Sequence, residues 1–400
     1  MNPEDFSSNS AGMCRQTLGG YWAFIPTPLP PKLDLDWDLA GLISEADRAM
    51  AELSGAGQLL PNPHLLIRPY LRREAILSSR IENTITEMEE LALFEAQPET
   101  EPTRPDVREV ANYVRALETG LDRMAQLPIS SRLICELHGI LLGRVRGGET
   151  SKTPGEYRRS QNWIGRPGAR FEEATFVPPP PEELPSALGA WENYLHVESP
   201  EPVLVKCALQ HYQFEAIHPF LDGNGRIGRL LITLFLCSRG CLSQPLLYLS
   251  GFFDETRDDY YRLLLAVSQR GAWRDWIEYF LRGVRQQARA ALTDTQAILR
   301  LYESQRETLS QARRPPQTAA IILDELMANP VFSVTRFCRK KAVNFPSANK
   351  GVQFWVKHGL VREFTGRKRN RLYIADEILR CMAGPTRPST PARSEEKADG

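Results

Sequence analysis

His218, Asp222, Arg226 and Arg229 fall within one short stretch, HPFLDGNGRIGR (218–229), with Gly223, Gly225 and Gly228 set among them. These residue types point to phosphate chemistry. Gly223, Asn224 and Gly225 tolerate positive φ, so successive backbone N–H groups can turn to one side and form an anion-binding nest. The apolar run LLITLFLC follows directly and reads as a buried helix. If that helix opens near Gly225, its unsatisfied N–H groups and positive dipole end face the same place. Arg226 and Arg229 lie one helical turn apart, so both guanidiniums can reach one polyanion. Asp222 is a hard oxygen ligand beside the nest, suited to Mg2+, which takes few protein carboxylates and shares phosphate oxygens. His218 is the side chain best suited to accept a proton near neutral pH. A phosphate cradle, a metal ligand and a base make up the parts of a phosphoryl or nucleotidyl transfer site. A DGNG turn or a histidine before proline is ordinarily structural; their coincidence at one helix start favours a site.

The elements that must position this loop read as mainly α. Residues 1–33, ending in IPTPLPPKL, are expected to be an extended lead-in. A helical region follows over 34–104; within it PHLLIRPYLRREAILSSRIENTITEMEELALF places Leu71, Ala75, Ile76, Ile81 and Ile85 near the helical repeat. The acidic, proline-bearing EAQPETEPTRPD (95–106) reads as a linker. The catalytic region is expected over 105–311. It is interrupted at about 147–181 by turn formers and by β-like pieces around Gln161–Ile164 and Ala174–Val177, which predict a small β-hairpin standing off the helical body. ARRPPQT (312–318) marks a further boundary. Beyond it, short helices and a Gly-tipped basic strand–turn–strand, VREFTGRKRNRLYIA, suggest a winged helix over 312–381. From Arg336 to Arg371 there are eleven Lys/Arg and one acid, Glu363. The tail, 382–400, reads as disordered.

Composition narrows the classes. The 400 residues carry 49 Lys+Arg and 49 Asp+Glu, a net charge of zero, so the chain as a whole is not a nucleic-acid binder by charge. No apolar stretch approaches the roughly 18 residues that cross a bilayer, and the N-terminus lacks the pattern of a secretory signal. Seven cysteines without a framework read as reduced thiols of a cytoplasmic protein. His138, His196, His211 and His358 lack metal spacing and read as structural, as do Tyr157 and Arg158; Trp163 reads as hairpin core.

HPFLDGNGRIGR resembles, throughout its length, the signature of the Fic family, His-x-Phe-x-(Asp/Glu)-Gly-Asn-Gly-Arg-x-x-Arg. TPGEYRRSQNWIG and ATFVPPPPEEL resemble the segment that forms a flap over the target side chain in that family, and the likeness spans roughly residues 20–310. It implies a Fic-type helical bundle with a β-hairpin flap, to which longer members add a C-terminal winged helix. It further implies a protein adenylyltransferase that moves AMP from ATP to a Ser, Thr or Tyr hydroxyl of a protein, the enzyme itself included. In that reading His218 is the general base and Phe220 a buried anchor. Asp222 holds Mg2+, and Gly223, Asn224 and Gly225 stabilise phosphate charge. Arg226 and Arg229 grip the β/γ end. SSRIEN (78–83) resembles the family's inhibitory pattern (Ser/Thr)-x-x-x-Glu-(Gly/Asn), satisfied by Ser78, Glu82 and Asn83; Glu82 would then pair with Arg229 where the γ-phosphate belongs. Relatives often carry Asn around positions 254–256, and this chain has none there, which leaves the adenine contacts open. Three further readings stay open at this point: removal of AMP or transfer of another phosphate-containing group by the same site; a regulator that contacts DNA through the winged helix; and a homodimer.

Overall fold

The computed structural model describes residues 1–58, 63–97, 99, 101–102, 104–145, 152–166, 168, 170–367 and 370–383. The lead-in is not simply extended. β1 (Gly12–Gln16) and β2 (Trp22–Pro26) pair antiparallel, Cys14 opposite Phe24. The turn between them contains Gly20 at φ 82°, and the adjacent Ala23 and Phe24, on opposite faces of β2, are both fully buried, so burial overrides the polar composition of the segment.

Helices then follow in sequence: α1 (Trp37–Gln58), α2 (Pro63–Ile81), α3 (Met88–Ala96), α4 (Pro105–Arg123) and α5 (Ser131–Leu141). Arg104 and Pro105 start α4 in the usual way, proline filling the first turn where no N–H is needed. Between α5 and α6 (Leu184–His196) the expected hairpin shrinks to a single antiparallel bridge, Ile164 with Phe176. Nor does it stand off the body. Phe24 N–H of β2 donates to Val177 O at 2.8 Å, and the Phe24 and Phe176 rings lie 5.4 Å apart. The N-terminal hairpin therefore buttresses the flap. Positions 147–151, 167 and 169 of that segment lie outside the described residues.

α7 (Val203–Ile217) and α8 (Asn224–Ser238) are buried along almost their whole length and form the centre of the bundle. α9 (Ser250–Glu255), α10 (Arg257–Arg270) and the long α11 (Trp273–Gln311) close it, α11 lying along α1. Trp276 fixes α11 to α7 through Nε1 donating to Ala208 O at 2.9 Å.

The C-terminal part runs α12 (Gln317–Ala328), β3 (Val331–Ser333), α13 (Val334–Lys341), α14 (Phe345–Lys357), β4 (Arg362–Glu363), β5 (Leu372–Ile374) and α15 (Asp376–Ala383), its sheet ordered β3-β5-β4. It is packed onto the region around α2. The buried Arg72 donates to Ala328 O at 2.5 Å and pairs with Glu95 of α3. Asn329 Nδ2 donates to Ala92 O at 3.2 Å. Ala92 and Ala96 share a small core with Val331, Leu372 and Ile374. Residues 384–400 of the expected disordered tail, and Lys368 and Arg369 of the basic turn, lie outside the described residues. Among the described residues no helix is long and apolar enough to cross a membrane.

Candidate active site

The loop between α7 and α8 gathers the chemistry. α7 ends at His218, which takes left-handed geometry (φ 49°) and is followed by proline, so the helix cannot continue. His218 Nδ1 lies 3.2 Å from Glu215 O. A carbonyl only accepts, so Nδ1 carries the hydrogen and Nε2 keeps its lone pair. Burial lowers the imidazole pKa to about 4, leaving it neutral above that pH. The loop backbone is gripped from the flap side. Arg158 Nε donates to His218 O at 2.9 Å, its own N–H donates to Pro219 O at 2.9 Å, and Asn162 Nδ2 donates to Phe220 O at 2.8 Å. Phe220 is fully buried, its ring 3.7 Å from that of His138 and nearly parallel to it.

The turn is built for a bare backbone. Gly223 sits at φ 80°, and its N–H donates to Asp222 Oδ1 at 2.6 Å. A Cβ on Gly225 would lie 2.5 Å from Glu82 Oε1 and 2.8 Å from Arg229 Nη1, so those two charged groups reach the helix start only because residue 225 has no side chain. The Asn224 side chain also shapes the loop: its Oδ1 accepts from Phe220 N–H and its Nδ2 donates to Phe220 O, both at 2.8 Å, which engages one of the two N–H groups of the amide. Asp222 is paired with Lys152, and Arg226 lies 3.7 Å from it. Burial alone would raise its pKa, but Arg226, Lys152 and the Gly223 N–H together lower it.

The two arginines are held by different carboxylates. Arg226 Nη1 donates to Glu109 of α4 at 3.0 Å. Arg229, 1% exposed, donates from Nε to Ser78 Oγ at 2.9 Å, and from Nη2 to Ser78 O at 3.0 Å and to Glu82 Oε1 at 2.8 Å. Ser78 and Glu82, 151 and 147 residues away in sequence, thus meet Arg229 in space. Asn83 takes the left-handed geometry expected at the end of α2 (φ 62°), and Arg257 of α10 donates to its Oδ1 at 2.9 Å. Among the described residues two buried donors here, Arg226 Nε and Arg229 Nη1, have no acceptor, and an anion at the start of α8 suits both.

Four groups escaped the sequence reading. His138, read as merely structural, accepts from Gly155 N–H at Nδ1 (2.9 Å) and donates from Nε2 to Asp222 O (3.0 Å), tying the base of the flap to the loop. Burial lowers its pKa to about 4. Glu109 and Lys152 neutralise the loop's own charges. Glu215 lies beneath it, its pKa raised to about 8 by burial, with Arg229 opposing and Glu82 adding to that shift; a Cβ on Gly228 would overlap its Oε1. Spacing could have flagged Glu215, three residues before His218; nothing local marks the others.

A helical bundle thus gathers a histidine, a carboxylate and two buried arginines around a glycine-rich helix start. Residues 40–122 match the Fic/DOC family N-terminal region and residues 128–236 match the Fic/DOC family, and these two regions are of that family. It is 32% identical over 178 residues to a probable protein adenylyltransferase of Aquifex aeolicus, covering 43% of this chain and 49% of that one. It is 38% identical over 118 residues to the protein adenylyltransferase Fic of Drosophila virilis, covering 29% and 21%. The chain thus spans about half the length of the first of these relatives and about a fifth of the second. A Fic family protein from Desulfovibrio desulfuricans G20 shares the fold, at TM-score 0.55 and 21% identity over 87% of this chain and 98% of that one.

Proposed function

We propose that this protein is an adenylyltransferase that moves AMP from ATP to a Ser, Thr or Tyr hydroxyl of a protein, and that Glu82 holds it inactive. The observation that carries the proposal is the Arg229 cluster. A buried guanidinium at the phosphate-binding helix start is engaged by a carboxylate from α2 at 2.8 Å, in the position a terminal phosphate would take. When α2 yields, the triphosphate lies along the start of α8 with its outer phosphates on Arg229 and Arg226. His218 Nε2 accepts the proton of the target hydroxyl. The hydroxyl oxygen then bonds to the α-phosphorus, the bond from that phosphorus to the bridging oxygen breaks, and pyrophosphate leaves. Preset N–H donors of the first turn of α8, from Gly225 onward, stabilise the developing charge, while the Gly223 N–H is held by Asp222 Oδ1.

Asp222 fits a magnesium ion that takes most of its ligands from phosphate and water, being one ionised carboxylate beside the phosphate cradle. Lys152 and Arg226 hold it in the present state. Bound with the triphosphate, magnesium supplies charge neutralisation at the bridging phosphates.

The flap offers the target one edge. Phe176 faces Ile164, while Val177 O faces β2, so the 174–177 segment is flanked on both sides. The Gln161–Ile164 edge, where Ile164 is 38% exposed, is left to take the target backbone as an added strand. The seven free thiols support a reducing, cytoplasmic setting.

The test incubates wild type, Glu82→Gly and His218→Ala with α-labelled ATP and a cell lysate. Label on protein should rise in Glu82→Gly and vanish in His218→Ala, with nucleotide binding retained in the latter. Undiminished labelling by His218→Ala refutes the assignment of the base.

A further inference from the structure

The charge of this chain is unevenly divided. Between residues 317 and 383 there are twelve Lys/Arg and five Asp/Glu, a surplus of seven cations on a chain whose total is zero. The structure sets six of these cations in two groups. Lys340 and Lys341 of α13 pair inward with Glu325, at 2.8 and 3.0 Å. Arg362 pairs with Asp376, and Arg336 donates to Glu95 O. These belong to the packing of the module. Lys350 and Lys357 of α14 are exposed and have no carboxylate partner among the described residues.

α14 is two-faced. Ala348, Gly351, Val352 and Trp355 are buried against the module, with Trp355 Nε1 donating to Ala319 O at 2.8 Å. The opposite arc carries Phe345 (57% exposed), Asn349, Lys350, Gln353, Val356 and Lys357. Helical spacing places these six on one side. No acid lies among them. Two carboxamides one turn apart, two apolar groups and two cations at the margin make up a chemical set suited to base edges: amides pair bidentately with adenine, apolar groups meet the thymine methyl, and lysines meet phosphates or guanine. The helix–strand–helix–helix–strand–strand order is the one in which a winged helix presents its third helix to a major groove.

We propose that the outer face of α14 binds double-stranded DNA, with Lys350 and Lys357 on the phosphates and Asn349 and Gln353 reading bases. The surface is separate from the α7–α8 loop and stands whether or not the adenylyl-transfer reading does. An acidic protein is the competing occupant for a cationic helix, but a pair of amides on this face, Asn349 partly exposed and Gln353 exposed with its Nε2 3.5 Å from the Tyr373 hydroxyl, gives it little reason to prefer the site.

The full chain is titrated into fluorescently labelled duplex DNA of mixed sequence and followed by anisotropy over a range of salt. The expected result is binding that weakens steeply with salt, the slope of log affinity against log salt flattening by about two in Lys350→Glu/Lys357→Glu, one for each phosphate no longer neutralised. Affinity in that double variant should fall at least about tenfold at low salt. Arg306→Glu, an exposed charge of α11, serves as control and should change neither. Selection from a random duplex library should enrich a sequence whose advantage over mixed DNA disappears in Asn349→Ala/Gln353→Ala. No binding to duplex at low salt, equal affinity for poly-glutamate, or an unchanged slope in the double lysine variant each overturns the proposal. Thermal unfolding of each variant separates damage to the face from damage to the fold.

Discussion

Replacing Glu82 by glutamine removes one negative charge from the Arg229 pocket and leaves its volume nearly unchanged. Arg229 then keeps its bonds to Ser78 Oγ and Ser78 O, at 2.9 and 3.0 Å, while the contact at 2.8 Å loses its negative charge and keeps at most a neutral amide oxygen as acceptor. A hydrogen bond between charged groups contributes about 1.5–3 kcal/mol. Arg229 is 1% exposed but the Glu82 side chain is 35% exposed, so solvent screening brings the pair to about 1–2 kcal/mol. If a terminal phosphate must displace this carboxylate, the same energy opposes nucleotide binding. At about 1.4 kcal/mol per factor of ten, Glu82→Gln should tighten apparent ATP affinity about fivefold to thirtyfold. Ser78→Ala leaves the charge in place and removes one bond, and should tighten it by about fivefold at most. Isothermal titration with a non-transferable ATP analogue reads binding, and initial rates with labelled ATP read transfer. Both should move in the same order, glutamine variant above alanine variant above wild type. Equal analogue affinity in wild type and Glu82→Gln would falsify the claim that this carboxylate holds the phosphate's place.

Burial lowers the His218 pKa to about 4, so the base is already neutral across the neutral range. Glu82 raises that pKa, so its removal lowers it further; the acid limb of kcat/KM in the Glu82→Gln enzyme should therefore lie at or below about pH 4 and not near the ordinary histidine value of about 6.5, and a loss of rate centred between pH 6 and 7 counts against it. His138 uses both ring nitrogens to join Gly155 to Asp222. His138→Phe keeps the stacking on Phe220, removes both bonds, and should lower kcat about tenfold or more with little change in analogue affinity. His138→Gln can donate and accept at once and should recover part of that activity, whereas equal damage from the two variants marks a purely steric role. Gly228→Ala drives a methyl into Glu215 Oε1 in a buried site, so denaturant unfolding should show a loss of about 1–3 kcal/mol; an unchanged midpoint refutes the clash.

The site was legible where its parts are contiguous. Glycines at a helix start, arginines one turn apart and a carboxylate just before them are local facts, and HPFLDGNGRIGR carries them all. The amphipathic helices and the order of elements after residue 317 are local in the same way, because periodicity and turn residues act over a few positions. What each group touches was not local. His138 became a brace between flap and loop, 84 residues from the Asp222 carbonyl it holds. The lead-in formed a hairpin that supports the flap through Phe24 and Val177, since burial of an aromatic against a distant surface leaves no mark in a segment's own composition.

The sequence by itself determined the glycine-rich turn, the histidine and its spacing from the carboxylate. Those depend on residue type and on geometry over a single turn. Only the tertiary structure decided that Glu82 meets Arg229, that Glu109 and Lys152 neutralise the loop, and which cations of the last module face outward. Coulomb interaction acts between neighbours in space, and 147 residues of intervening chain are brought to a 2.8 Å contact only by the packing of α2 against the bundle.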